Sequence, residues 1–239
     1  MIHLAILDAP EVPGGAIAAR LRGAVLSDTQ DADVVLCVNA RRTSTLSEAG
    51  KRVLLVLDDT LFGDTLDPRV ELVNPDRYLP SVRLIRQQLD AGKLGEPGLL
   101  RIHRWAPAGQ LVRDLDLALW LFGKAPNAMH IVKNAACMQV HLGFTGGGMA
   151  LIDHATALPE GDRYYSLSLI AACGAAYADD HANAQLLYQG GTARALRADE
   201  EIARWTALVQ DIVGTATGSE SYPTWADVRA VYHALTSAQ

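Results

Sequence analysis

Two carboxylates and several cationic side chains are the residues of this sequence that could do chemistry. Asp58 and Asp59 come directly after the apolar run 53–57, and His103 and Arg113 follow later in the chain. Carboxylates and imidazoles can exchange protons with a substrate, whereas a guanidinium group stays charged and clamps carboxylates or phosphates. The sequence therefore predicts Asp59, His103 and Arg113 as catalytic candidates.

A second group of residues could hold a substrate without moving a proton. Arginine forms paired hydrogen bonds with anions, and a tyrosine on the small, polar face of a strand can lie against a ligand. Tyr164 meets the second condition, since it alternates with the apolar-face Tyr165. The predicted substrate-binding residues are Arg77, Arg104, Asp114, Asp116 and Tyr164.

A purely structural interpretation stays open for these residues. Two acids after a strand commonly form a solvated turn, and ion pairs often have no role beyond structure.

Residues 179–181 contain two acids and a histidine, but adjacent residues seldom reach one ion, so no metal site is predicted. Asp153 and His154 are neighbours in a strand, so their side chains are expected to face opposite ways and not to act together.

Composition limits the class of protein. The chain has 239 residues, of which 49% are hydrophobic and 20% are charged, and its net charge is -6 from 21 basic and 27 acidic residues. The apolar content excludes disorder, and no apolar run approaches the roughly 20 residues of a membrane span. The acidic balance argues against a nucleic-acid partner. The three scattered cysteines and a strand beginning at the N-terminus predict a cytoplasmic protein.

The first third of the chain must position Asp58 and Asp59. Apolar runs rich in β-branched residues occupy 2–7, 24–26, 34–38 and 53–57, and helical segments lie between them. Strands and helices in alternation predict a parallel sheet of the Rossmann type. We expect a shortened Rossmann-like domain at 1–75.

Residues 76–239 must position the other candidates. Helical spacing predicts helices near 78–89 and 114–122, and period-two alternation then predicts antiparallel strands with one apolar and one small, polar face. Two more helices are predicted at 200–213 and 224–237. This segment is expected to form an α+β domain with a large, mostly antiparallel open sheet.

A dinucleotide-binding site is expected to show a characteristic glycine motif in the turn after the first strand. A Gly-x-Gly-x-x-Gly sequence would let the backbone approach a pyrophosphate. Here the turn carries Asp8, Glu11 and two prolines before Gly14 and Gly15. The prolines remove N–H donors and the acids repel phosphate. No cofactor is therefore expected, and NAD(P) is the disfavoured alternative.

Several segments together resemble the Gfo/Idh/MocA oxidoreductases, the relatives of glucose-fructose oxidoreductase and inositol dehydrogenase. The resemblance implies a Rossmann domain that holds NAD(P), and an open-sheet domain that usually makes the oligomer interface. It also implies hydride transfer at a sugar or polyol carbon with the help of a lysine and a histidine. The segments are 77–80, 92–97, 114–123, 168–176 and 236–238.

The catalytic positions depart from the family pattern. Asp58 and Asp59 stand where the family has its Glu-Lys-Pro motif, and Arg113 and Gly109 stand where it has its histidine and aspartate. An arginine cannot serve as a general base near neutral pH. We therefore expect a divergent protein that no longer transfers hydride.

Three functions remain open at this stage. The first is an oligomeric structural or regulatory partner that pairs through its open sheet with itself or with a full-length paralogue. The second is an enzyme with a rebuilt pocket, a lyase, isomerase or hydrolase acting on a sugar-like or acidic small molecule. The third is an NAD(P)-dependent oxidoreductase acting on a sugar or polyol.

Overall fold

The chain folds into two compact units. Unit 1 contains residues 1–79 and 201–226, and unit 2 contains residues 80–200 and 227–239. The computed structural model describes residues 1–7, 12–38, 43–59, 61, 67–105, 110–155, 164–179, 184–189, 192–197, 200–215 and 222–237.

Unit 1 is built on a five-stranded sheet in the order β2-β1-β3-β4-β5, and every pairing in it is parallel. The residues of β3 are all buried, as are most of those in β4, which explains their continuous apolar sequences. The strands are β1 (Ile2–Leu7), β2 (Ala24–Leu26), β3 (Val34–Cys37), β4 (Arg52–Val56) and β5 (Glu71–Val73).

Short helices connect these strands, and one long helix returns from the end of the chain to complete the core of unit 1. The returning helix buries Trp205, Leu208 and Ile212 in the same cluster as Leu4 and Leu36. The helices are α1 (Gly14–Ala18), α2 (Thr43–Glu48), a 3-10 helix (Pro75–Tyr78) and, after those of unit 2, α5 (Glu200–Gly214).

Unit 2 is built on an eight-stranded sheet in the order β13-β12-β11-β10-β6-β9-β8-β7. Only the pairing of β6 with β9 is parallel, and the other pairings are antiparallel. The strands are β6 (Pro97–Trp105), β7 (Pro126–Lys133), β8 (Cys137–Phe144), β9 (Met149–Ala155), β10 (Tyr164–Ala171), β11 (Gly174–Asp179), β12 (Ala184–Gln189) and β13 (Thr192–Arg197).

Helices cover one face of this sheet. Helix α4 packs on β6 and β9, and α3 lies against β11. Helix α4 ends at Gly123, whose φ of 64° is the left-handed conformation that glycine adopts most easily. These two helices are α3 (Pro80–Asp90) and α4 (Leu111–Phe122), and the last helix of the chain is α6 (Trp225–Ser237).

The alternation of β6 distinguishes the two faces of the sheet. Leu100, Ile102 and Arg104 are buried on the helix-covered inner face. Their neighbours in the strand point to the other side, which we call the open face. The open face consists of Leu99, Arg101, His103 and Trp105 together with the residues in register with them on the neighbouring strands.

The predicted fold class is confirmed. All four predicted parallel strands are present, and the alternating sequence forms antiparallel strands, but the sheet of unit 2 already begins with β6, which the sequence did not indicate. The sequence did not indicate β5, which has only three residues, nor the return of α5 to unit 1. The predicted ranges 1–75 and 76–239 treat the chain as two consecutive pieces, whereas residues 201–226 rejoin the first unit.

Within the described residues, the structure has no helix that is both long and apolar enough to cross a membrane.

The core of unit 1 yields a stability prediction. The Trp205 ring is fully buried, and its Nε1 donates to Glu201 Oε1 at 2.7 Å. Trp205→Ala should lower the free energy of unfolding by about 3 to 5 kcal/mol, because it leaves a large cavity. Denaturant titration followed by circular dichroism measures this, with the exposed Val25→Ala as a control that should change little. Equal stabilities for the two variants would contradict the described packing.

Candidate functional site

A buried ion pair ties the inner face of the unit 2 sheet to the start of α4. Arg104 Nε lies 3.0 and 2.9 Å from the two carboxylate oxygens of Asp114, and its Nη2 donates to Oδ1 at 2.6 Å. The Asp114 side chain is fully buried and that of Arg104 is 7% exposed. Arg104 and Asp114, both predicted to bind substrate, are therefore brought together, and each is the other's binding partner.

The neighbours of this pair hold the guanidinium group in place. Gln110 is the residue before α4, and its Oε1 accepts from Arg104 Nη1 at 3.0 Å instead of capping the helix. The Tyr165 ring lies under the same guanidinium, 4.5 Å from its central carbon. A carboxylate in the first turn of a helix is also favoured by the helix dipole. Asp114, Gln110 and Tyr165 thus hold the Arg104 side chain in one place.

His154 is a candidate that sequence reasoning missed. Its Nδ1 lies 3.9 Å from Asp114 Oδ2, and neither ring nitrogen has a hydrogen-bond partner among the described residues. The ring is 3% exposed. In the sequence His154 stands beside Asp153, which does face the other way. The feature that could have identified His154 as a candidate is its register, because it lies opposite Arg104 of β6.

Arg113 and Asp116 belong to the same helix and are both buried, with 4% and 2% of their surface exposed. Each has an electrostatic or hydrogen-bonding partner. Burial of a charged side chain without such a partner would cost several kcal/mol. Arg113 is therefore a buried guanidinium group with an interaction partner, and its place at the position of the family's histidine stays a prediction.

Two predicted candidates lie in unit 1. Asp59 is partly exposed and follows β4 by three residues, and Arg77 is buried in the 3-10 helix. Both have interaction partners. His103 and Arg113 lie in unit 2. An acid/base set formed by Asp59 with His103 or Arg113 stays a prediction.

His103 and Tyr164 lie on the open face of the unit 2 sheet, opposite to the Arg104–Asp114 pair. The three rings of His103, Tyr164 and Trp105 contact one another, with centroids 5.5 to 5.9 Å apart. Trp105 Nε1 donates to His103 Nε2 at 2.9 Å. The alternation of β6 thus separates His103 from Arg104, although the two are adjacent in the sequence.

A polar network crosses the open face from β6 to β8. Arg101 Nη2 donates to Asp153 Oδ2 at 2.9 Å, and Gln139 Nε2 donates to Asp153 Oδ1 at 2.5 Å. Burial alone would raise the pKa of Asp153, but the hydrogen bonds from Gln139 and Arg101 outweigh it and lower that pKa. His141 Nε2 lies 2.9 Å from Gln139 Oε1 and extends the network.

Large apolar side chains surround this network. Eight such side chains are exposed among the described residues, and six of them lie on the open face. The other two, Met1 and Val25, belong to unit 1. A concentration of this kind marks an interaction surface. The six open-face residues are Leu99, Trp105, Val132, Met149, Ile170 and Tyr177.

The strand order of the unit 1 sheet indicates where a nucleotide would bind. The strand order reverses between β1 and β3, and ligands of such sheets bind beyond the carboxyl ends of the strands at this point. Ser27 follows β2, and its Oγ is buried without a hydrogen-bond partner among the described residues. Asp28 comes next and is exposed. A free hydroxyl beside a carboxylate fits the hydroxyl groups of a ribose.

The turn that would carry a diphosphate lies outside the described residues, since it includes residues 8–11. Helix α1 begins at Gly14, and a Cβ added at Gly15 would meet open space. The predicted repulsion by Asp8 and Glu11 therefore stays a prediction, as does the role of Gly109, which is also outside.

Comparison with known proteins rests on structure. No protein-family model matches the sequence, and no curated protein sequence matches it. Solved structures do match over nearly the whole chain. UDP-N-acetylglucosamine 3-dehydrogenase from Acidithiobacillus ferrooxidans has a TM-score of 0.71 at 17% identity, covering 98% of this chain and 96% of its own.

Two further structures show the same likeness. A levoglucosan dehydrogenase solved with NADH and levoglucosan has a TM-score of 0.71 at 12% identity, covering 100% of this chain and 98% of its own. An NAD-binding oxidoreductase from Klebsiella pneumoniae has a TM-score of 0.70 at 12% identity, covering 99% and 96%.

The chain has the Gfo/Idh/MocA fold. The resemblance stated from the sequence is confirmed at the level of the fold. The expectation that no cofactor is involved is wrong for this fold, because neighbours with the same architecture are NAD(P)-binding dehydrogenases. The error arose because the missing glycine motif after β1 was given more weight than Ser27 and Asp28 at the end of β2, where a solvated aspartate was favoured over a ribose ligand.

Metal ligands were not predicted, and no three His, Cys, Asp or Glu side chains within the described ranges are grouped to hold an ion. Asp180 and His181 of the predicted polar turn are outside those ranges.

The Arg104–Asp114 pair yields a testable prediction. Asp114→Asn should destabilise the protein by about 3 to 5 kcal/mol, because it leaves the buried guanidinium without its counter-charge. The matched control is Asp90→Asn, whose carboxylate pairs with Arg86 on the surface of α3 and is 55% exposed. That control should cost less than about 1 kcal/mol. Urea unfolding measures both, and a similar loss in the two variants would contradict a structural role for Asp114.

Proposed function

We propose that this protein is an oligomeric structural or regulatory member of the Gfo/Idh/MocA fold group, joined to a second copy through the open face. The observation that carries the proposal is the collection of six exposed apolar side chains on that one face. Monomers seldom keep such a patch in water, and burial of apolar surface stabilises association by about 25 cal/mol per Å².

A second copy fits this face because the face is self-complementary. In a two-fold interface each patch meets its own copy, so the patch must not carry a strong charge of one sign. Arg101 and Asp153 neutralise each other at 2.9 Å. Ser166 and Ser168 of β10 add small side chains that permit close approach. These features favour self-association over binding of a strongly charged partner.

We further propose that hydride transfer by the family's mechanism is absent. That mechanism needs a base for the hydroxyl proton and a cation near the developing alkoxide. Asp58 and Asp59 stand at the lysine position, and the buried, paired Arg113 stands at the histidine position. Asp114 is locked by Arg104, which keeps it from acting as a free base.

A nicotinamide dinucleotide is the proposed ligand of unit 1. The support comes from the NADH-bound neighbour and from the unpartnered Ser27 hydroxyl beside Asp28. Ser27 and Asp28 would hold the ribose hydroxyls, and Gly14 and Gly15 would let the chain approach the phosphates. Bound in this way, the nucleotide would supply a redox group, or it would serve as a regulatory ligand where the proton-transfer residues are missing.

A rebuilt enzyme site is the second candidate function, and His154 is the observation that favours it. An imidazole 3.9 Å from a buried carboxylate is an arrangement that general bases use. Its substrate class would be a sugar-like or acidic metabolite. Lyase, isomerase or hydrolase activity that is lost in His154→Gln, with folding retained, would establish this candidate.

The open face yields a prediction about assembly. Ile170→Glu and Leu99→Glu each place a charge in the centre of an apolar contact, and each should weaken dimerisation by at least about a hundredfold. Light scattering coupled to size-exclusion chromatography gives the molar mass. Val25→Glu is the matched control, because Val25 is also exposed but lies in unit 1. A wild-type monomer at micromolar concentration would overturn the proposal.

Unit 1 yields a prediction about ligands. Isothermal titration should detect NADH or NADPH with a dissociation constant on the order of micromolar. Asp28→Asn with Ser27→Ala should weaken binding about tenfold or more, because each change removes a hydrogen bond to the ribose.

Absorbance assays with NAD⁺ or NADP⁺ and a panel of sugars and polyols should show no reduction of the nucleotide. Turnover with any of them would instead establish the oxidoreductase alternative. Titrations that show no nucleotide binding would remove the proposed ligand but leave the assembly proposal intact.

A further inference from the structure

Histidines are concentrated on the open face. His103 of β6, His130 of β7 and His141 of β8 all lie there, out of seven histidines in the whole chain. His130 and His141 are directly opposite each other in register, and their ring centroids are 6.0 Å apart in an edge-to-face arrangement. Imidazole is the side chain whose charge changes between pH 5 and 8.

Few other charges face these rings. On β9 the neighbours are Leu151 and Asp153, and on β6 they are Arg101 and His103. The Asp153 carboxylate is already bound by Arg101 and Gln139, so it is not available to either ring. Protonated rings of His130 and His141 would therefore repel each other without a dedicated counter-charge.

The hydrogen bonding of His141 is compatible with either state. Gln139 Nε2 donates to Asp153, so Gln139 Oε1 accepts and His141 Nε2 must be the donor. Nδ1 of His141 is then the nitrogen that would gain the proton. Protonation would leave the hydrogen bond to Gln139 intact and would change only the charge of the face.

We propose that protonation of the His130–His141 pair regulates the association of two open faces, with the neutral pair permitting the dimer and the protonated pair dissociating it. The inference rests on the proposed self-association. At neutral pH the described open-face residues of β6 to β10 carry one positive and one negative charge, in the pair formed by Arg101 and Asp153. Acidification would add positive charge to both copies at once.

The direction of the pH effect follows from linkage. An interface that excludes water disfavours the charged imidazole, so the dissociated chain binds more protons than the dimer does. Dimer stability is then greatest at neutral and alkaline pH and decreases as the solution is acidified. The net charge of the chain acts in the opposite direction, because the isoelectric point is about 5.6 and repulsion between whole molecules fades there.

Sedimentation velocity of the full chain at about pH 7.5 and about pH 5.5, at constant ionic strength, tests the proposal. We expect the dissociation constant of the dimer to rise at least about tenfold at the lower pH, a change that one disfavoured protonation per dimer would already supply. Circular dichroism at both pH values confirms that the chain stays folded.

Two variants test whether the His130–His141 pair causes the pH effect on dimerisation. His130→Gln with His141→Gln keeps polar side chains of similar reach but cannot be protonated, so its dimer should persist at both pH values. His3→Gln is the matched control, since His3 is exposed on unit 1 and its loss should leave the pH effect unchanged. His103 remains in the double variant, so any residual pH effect measures its share.

Each outcome decides a different point. A wild-type dimer that is equally stable at both pH values overturns the regulation but leaves the proposed assembly in place. A monomer at both pH values overturns the assembly and the regulation together. A pH effect that is as large in the double variant as in the wild type overturns the assignment to His130 and His141.

Discussion

The period-two geometry of β6 is the constraint on which the chemistry of unit 2 depends. Adjacent residues in a strand face opposite sides, so Arg104 reaches the helix-covered face while His103 reaches the open face. The same rule applied to β9 sends His154 inward and Asp153 outward. Polar residues that are adjacent in the sequence are therefore separated in the structure. Some form the buried ion-pair site, and the others form the network on the open face.

The buried site is governed by the cost of placing charge in the protein interior. Arg104 and Asp114 are stable there because three close contacts and the Gln110 amide satisfy them. The ion pair connects α4 to the sheet, because Asp114 belongs to the helix and Arg104 to β6.

The fold could be predicted because local sequence patterns indicate its strands and helices. The site was harder to predict because its contacts join residues that are far apart in the sequence. Continuous apolar runs identified β1, β3 and β4, and alternation identified β8 and β10. The three residues of β5 offer too short a pattern, and only tertiary packing returns α5 to unit 1. His154 needed the register of two strands that are about fifty residues apart in sequence. The cofactor was misjudged because the missing glycine motif after β1 outweighed Asp28, a possible ribose ligand at the end of β2.

The two units differ in where they place their polar and apolar side chains. In unit 1, Asp58 and Asp59 come after the buried residues of β4 and are themselves partly exposed. In unit 2, six exposed apolar side chains lie on the open face, where the proposed second copy would cover them. A neutral, histidine-bearing face in a chain of net charge -6 fits a surface kept for association.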